Sequence, residues 1–125
     1  TAREPLPTPV QRRHRLSRSR DFDAVYRQGK SVSTRALVLY WFERHDDTDA
    51  DARVGIAVPR KVGTAVVRNR VKRQLREAWR MQLERTTAGR DYILLARPGL
   101  AEGTQANGLD WLAARVGEAL EQAAP

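Results

Sequence analysis

Cysteine is absent from the 125 residues. That excludes a disulfide framework, a cysteine-ligated zinc site and a thiol nucleophile. Histidine occurs only at His14 and His45, and no HExxH, Walker or nucleophile-elbow pattern is present. Long apolar runs are missing too. The longest, residues 36–42, spans seven positions, far short of the roughly 18 that a membrane-crossing helix needs. No secretory signal is expected, because the basic, proline-bearing start is not followed by an apolar stretch. Lysine is scarce: only Lys30, Lys61 and Lys72 occur, so 20 of the 23 cations are arginines.

What the chain has in excess is positive charge. The formal net charge is +8 and the isoelectric point is near 10.9. A pI above about 9 is an electrostatic footprint of nucleic-acid binding, with an anionic membrane surface as the competing partner. Arginine's planar fork suits bidentate phosphate contacts, although a GC-rich genome produces the same Arg-for-Lys bias. The charge is unevenly placed. Residues 1–44 carry a net +6, residues 45–52 carry −4, residues 53–85 carry +8 and residues 86–125 carry −2.

The length suits one domain. Residues 1–15, with Pro5, Pro7, Pro9 and a basic run, read as a flexible arm, leaving 16–125 as the domain. Residues 17–28 read as a helix with Ser19 as N-cap, Phe22, Val25 and Tyr26 on one face and Gly29 as a suitable C′ residue. Strands are expected from 31, over 36–42, over 53–58 and over 91–96. In 36–42 both faces are apolar, Leu37, Leu39 and Trp41 against Val38, Tyr40 and Phe42. Either both are buried, or one meets something outside the chain, such as stacked nucleobases. Residues 64–85 form the dominant helix, 99–108 a glycine-bearing loop, and 107–123 a final helix.

The acidic stretch Asp46 to Asp51 superficially suggests a calcium loop, but the glycine and terminal glutamate of that motif are missing. The pairs Asp21/Asp23 and Asp46/Asp47 suit Mg²⁺ no better than any solvated turn. The long helix is more telling. With Val67 at zero and about 100° per residue, Val67, Val71, Leu75 and Ala78 form an apolar stripe. Arg68, Lys72, Arg76, Arg80, Arg73 and Asn69 cover the opposite side. Arg70 falls beside Glu77 on the wheel, which suggests a local pair. Solvated helix faces normally interleave both signs, whereas Arg68, Lys72, Arg76 and Arg80 form an i, i+4 ladder of one sign. A polyanion is the economical counterpart, in a binding module with no catalytic centre of its own.

The stretch from Arg60 to Glu77, RKVGTAVVRNRVKRQLRE, closely resembles the signature of the bacterial ribonuclease P protein subunit. Arg68-Asn69-Arg70 and Lys72-Arg73 reproduce that family's RNR segment and the Lys-Arg pair after it. Arg15-Leu16, Asp21-Phe22, Leu37 to Tyr40, Arg53-Val54-Gly55 and Asp91-Tyr92-Ile93 match in order, so the resemblance covers roughly residues 12–120. It implies a two-layer α/β (α+β) sandwich like the second domain of ribosomal protein S5. The order would be αβββαβα, with a four-stranded sheet and a left-handed crossover through the basic helix. That crossover runs against the usual right-handed rule.

The resemblance also implies a function. The holoenzyme removes the 5′ leader from precursor tRNA, and its catalyst is an RNA subunit that binds Mg²⁺. No catalytic residue, metal ligand, membrane or protein partner is implied for the polypeptide, and the workplace would be the cytoplasm. By the same resemblance, Arg60, Lys61, Arg68, Asn69, Arg70, Lys72, Arg73 and Arg76 would face the RNA subunit. Phe22, Tyr26, Val38 and Tyr40 would line a cleft for the single-stranded leader. The alternatives are a ribosomal or assembly protein of the same fold, an autonomous nuclease, or a membrane-surface protein. The last needs exposed bulky apolar groups beside the cations, and Trp79 is the sole candidate.

Overall fold

A computed structural model describes residues 19–44 and 51–124. The proposed arm and the acidic stretch 45–50 lie outside the described residues. The elements are α1 (Ser19–Gln28), β1 (Lys30–Ser33), β2 (Leu37–Glu43), β3 (Arg53–Ala57), α2 (Ala65–Met81), β4 (Arg90–Ala96), α3 (Leu100–Asn107) and α4 (Leu109–Gln122). Short 3-10 turns at Arg60–Val62 and Leu83–Arg85 flank α2.

The four strands form one sheet in the order β1-β2-β4-β3. β2 pairs antiparallel with β1 and with β4, while β3 lies parallel to β4. A parallel pair needs a crossover, and the chain between β3 and β4 supplies it through α2. β4 is central and buried along almost its whole length, as the continuous apolar run from Tyr92 to Ala96 requires.

Alternation sorts the side chains onto two faces. Leu37, Leu39, Val54, Tyr92 and Leu94 turn to the main core, where α2 and α4 supply Val71, Leu75, Ala78, Leu112, Val116 and Leu120. On the other face α1 packs Val25 against Ile93, with Phe22, Tyr40, Phe42 and Ala57 around them. The doubly apolar pattern of β2 is thereby explained: one face is core, and the other is half-covered by α1.

Four expectations need correction. Residues 99–108 are not a loop: α3 occupies Leu100–Asn107, so the order is αβββαβαα. Only Leu100, Ala101 and Thr104 of α3 are buried, too short a stripe to show as periodicity. Glycines mark its ends, with Gly99 at φ 98° and Gly108 at φ 89°. The long α-helix stops at Met81 and tightens into the Leu83–Arg85 turn. Gly29 is not left-handed. Glycine is needed at this position because a Cβ there would lie 2.4 Å from the carbonyl oxygens of both Trp41 and Val25.

Trp79 is fully buried and meets Tyr92 edge-on at 5.1 Å between ring centroids. The buried residues of α2 are Val71, Leu75, Ala78 and Trp79, an arc of about 20–120° on the wheel. Val67, at one edge of the expected stripe, is only half-buried. The stripe is rotated because α4 and the sheet together claim α2. With Trp79 inside, the membrane-surface reading loses its anchor. Among the described residues no helix is long and apolar enough to cross a membrane.

Candidate nucleic-acid interface

α2 begins immediately after the turn that carries Arg60 and Lys61. Val62 is buried and pins that turn to the core, leaving the two cations exposed. The Oγ1 of Thr64 caps the helix, accepting from the Val67 N–H at 3.3 Å. The first turn holds no acidic residue, so the positive end of the helix dipole is not offset there. Arg68 folds back over this end, its Nε donating to the Gly63 carbonyl at 3.2 Å.

From there the cations climb one side of the helix. Asn69, Arg70 and Arg73 are exposed, while Arg68, Lys72 and Arg76 are half-buried. Long stems lying along apolar surface with their charged heads in water produce that intermediate exposure. The expected Arg70–Glu77 pair does not form. The two share a wheel angle but stand seven residues apart, about 10.5 Å along the axis. Glu77 instead accepts from Arg80, whose Nε and Nη2 reach its two oxygens at 3.2 and 2.5 Å. Among the described residues Arg60, Lys61, Arg70, Lys72 and Arg73 form no ion pair.

The second group lies on the opposite face of the sheet. Phe22 lies against Gly55 so closely that a Cβ there would meet its ring at 2.3 Å. Tyr26, one turn on, meets Tyr40 edge-on with centroids 4.9 Å apart and planes at 81°. Phe22 and Tyr26 stand 6.4 Å apart. Tyr26 remains 41% exposed, and burial of the rest of its ring, with Tyr40 close by, pushes its phenol above the ordinary value. Val38, two residues before Tyr40 on β2, shares its face and is half-buried. Phe22, Tyr26 and Tyr40 therefore come together as expected, with Val38 at the end of their row. The helical cations form a separate group behind the sheet.

Sequence reasoning missed a buried charge cluster at the far end of the same face. Asp91 accepts from Arg53 at 2.8 and 2.7 Å and also from Arg44. Arg44 donates in addition to the Asp51 carbonyl at 2.8 Å, which ties the two ends of the 45–50 stretch together. These partners are 38 and 47 residues from Asp91, so no local pattern announces them. No group of three or more His, Cys, Asp or Glu capable of holding a metal occurs among the described residues.

Comparison with known proteins bears on this arrangement. The family model described as Ribonuclease P matches residues 10–120. The chain belongs to the ribonuclease P protein family. A ribonuclease P protein component of Bacillus cereus is 35% identical over 95 residues, which cover 76% of this chain and 81% of that protein. The counterpart from Bacillus anthracis is 33% identical over the same length. Among solved structures, the ribonuclease P protein of Thermotoga maritima superposes with a TM-score of 0.76 at 28% identity, covering 88% of this chain and 97% of that one. The Staphylococcus aureus protein gives 0.67 at 30% identity, covering 87% and 90%. The mixed α/β fold with a four-stranded sheet is thus the ribonuclease P protein fold.

Proposed function

We propose that the chain binds the RNA subunit of ribonuclease P through α2 and the Arg60–Val62 turn, and grips the single-stranded 5′ leader of precursor tRNA beside α1. The observation that carries this reading is the run of cations with no acidic counterpart among the described residues: Arg60, Lys61, Arg70, Lys72 and Arg73. A folded protein gains nothing internally from collecting them on one surface. Phosphates supply the missing charge, and each neutralised phosphate releases counterions, which makes binding salt-dependent.

On the other face Tyr26, Tyr40 and Val38 offer a partly open aromatic and apolar surface. Base stacking on such a surface is worth about 1–3 kcal/mol per base and tolerates any sequence. Leaders vary in sequence, so tolerance suits this task. In this reading, as membership of the family implies, the metal and the hydrolysis belong to the RNA subunit, the polypeptide is non-catalytic by itself, and the complex works in the cytoplasm.

The test is 5′ cleavage of a precursor tRNA at low Mg²⁺ by a bacterial ribonuclease P RNA, with and without the protein, beside a protein-only reaction. Rescue that requires both components is expected. Cleavage by the protein alone would reveal an active site in the polypeptide. Tight RNA binding without rescue by several such RNAs would favour a ribosomal-type binder instead.

A further inference from the structure

The two ends of the sheet differ in electrostatics. Where β4 and β3 begin and β2 ends, every arginine has an internal acid. Arg53 and Arg44 share Asp91, and Arg90 meets Glu43 at 3.1 Å. At the other end, where β4 and β3 stop and β2 begins, stand Arg35, Arg97, Arg60 and Lys61. None of these four makes an ion pair among the described residues.

The turn that presents Arg35 is firmly built. The Thr34 N–H donates to the Leu37 carbonyl at 2.8 Å, and the Leu37 N–H returns a bond to Thr34 Oγ1 at 3.2 Å. Arg97 then locks the turn from β4. Its N–H donates to the Ala36 carbonyl at 3.0 Å and its Nη1 to the Thr34 carbonyl at 2.8 Å. Arg97 spends its guanidinium on scaffolding, whereas Arg35 is exposed and its side chain makes no hydrogen bond among the described residues. The turn lies three residues from Val38, within about 10 Å at ~3.3 Å per residue. Arg60 and Lys61 leave the sheet two strands away, a further 10 Å or so.

We infer that Arg35, held by the Arg97-locked turn, contacts a backbone phosphate of the leader where it runs past Val38 toward the α2 cations. This rests on the leader-binding reading of the aromatic face. The occupant is a single strand because the turn continues the row Tyr40–Val38, whose half-open ring and methyls beside the exposed Tyr26 suit splayed bases rather than a closed duplex. A backbone contact makes no demand on leader sequence.

The test uses the holoenzyme assembled with a bacterial ribonuclease P RNA. Affinity is measured for a long-leader precursor, a short-leader precursor and mature tRNA across a salt series. With Arg35→Ala, the log–log salt slope for the long leader should flatten by about 0.7, the value for one single-strand phosphate contact. Referred to 1 M salt, that is about a fourfold weaker affinity near 0.15 M. Mature tRNA should be unaffected, and Arg35→Lys should restore most of the loss. An equal loss for mature tRNA would place Arg35 on structured RNA and overturn the inference. So would an unchanged long-leader slope in Arg35→Ala alongside a leader-specific loss in Tyr40→Ala, a result that leaves the aromatic cleft standing. If Tyr40→Ala shows no leader-specific loss either, the cleft reading itself fails, and this inference with it.

Discussion

Gly55→Ala is a small perturbation that tests how the aromatic face is assembled. The added Cβ would lie 2.3, 2.9 and 3.0 Å from three carbons of the Phe22 ring, where ordinary contact begins near 3.4 Å. The ring must retreat by about 1 Å, and α1 with it, because Val25 on the next turn is wholly buried against Ile93. Overpacking of this kind costs about 1–3 kcal/mol. Gly55 does not have a positive φ, so alanine meets no backbone strain and recovers about 0.4–1 kcal/mol by restricting the unfolded chain. The expected balance is a destabilisation of roughly 1–2 kcal/mol, seen as a urea midpoint lowered by about 0.5–1 M with an unchanged slope. Retreat of Phe22 also disturbs the Tyr26–Tyr40 contact, so affinity for a leader-bearing precursor should fall while that for mature tRNA holds. The decisive control is Phe22→Ala, in which most of the Gly55→Ala penalty should vanish. A penalty that persists without the ring, or a Gly55→Ala protein as stable as the parent, would show that Phe22 does not rest on Gly55.

Other perturbations address the remaining parts. Asp91→Asn leaves two arginines around a neutral group, and the loss should be about 3 kcal/mol, the lower end for a broken buried pair. Denaturation in urea checks this, and a cost below about 1 kcal/mol would mean that Asp91 holds neither strand end. Tyr26 is expected to give a pH signature: with its folded-state pKa raised, the unfolded chain releases the proton first. Its contribution is complete below pH 10 and is lost as pH rises through the folded value. Tyr26→Phe should therefore flatten the decline of stability between pH 9 and 11, and parallel declines in both proteins would reject the assignment. Arg73→Ala should weaken binding to the RNA subunit and reduce the salt slope by about 0.7–0.9 for one phosphate contact. Unchanged affinity and slope would remove Arg73 from the interface.

Much of this molecule can be read locally. The 3.6-residue spacing of Phe22, Val25 and Tyr26 and the alternation in β2 and β3 follow directly from which side chains must meet a core. The cations of α2 are equally legible, because a one-sign ladder is a surface property of a single helix. What escapes is whatever depends on a partner element. Trp79 falls at the rim of the wheel, and its burial requires knowing that α4 packs alongside. The Asp91 cluster joins three segments far apart in the chain. α3 has three buried residues in eight and is held by what surrounds it, including Trp111, whose ring would meet a Cβ on Gly103 at 2.6 Å. The order β1-β2-β4-β3 likewise depends on a long crossover rather than on any local signal.

The same separation explains how α2 tolerates its charge. Val71, Leu75, Ala78 and Trp79 are wholly buried, and each large side chain there is worth about 1.5–3 kcal/mol of transferred apolar surface. Against this stands like-charge repulsion of about 0.2–0.5 kcal/mol for each of the three i, i+4 pairs, Arg68 with Lys72, Lys72 with Arg76 and Arg76 with Arg80. The glutamate that α2 carries is committed to Arg80. Burial therefore exceeds repulsion several-fold, and the helix stands preformed without RNA, with a deficit of about 1.5 kcal/mol at most that phosphates can relieve. Two consequences follow from one geometry. Moderate salt should stabilise the free protein slightly by screening the ladder while weakening its grip on RNA. Lys72→Gln should raise the thermal midpoint of the free protein at low salt and lower its affinity for the RNA subunit. A variant that lost stability and affinity together would mean that the Lys72 stem holds the fold and that its charge is incidental.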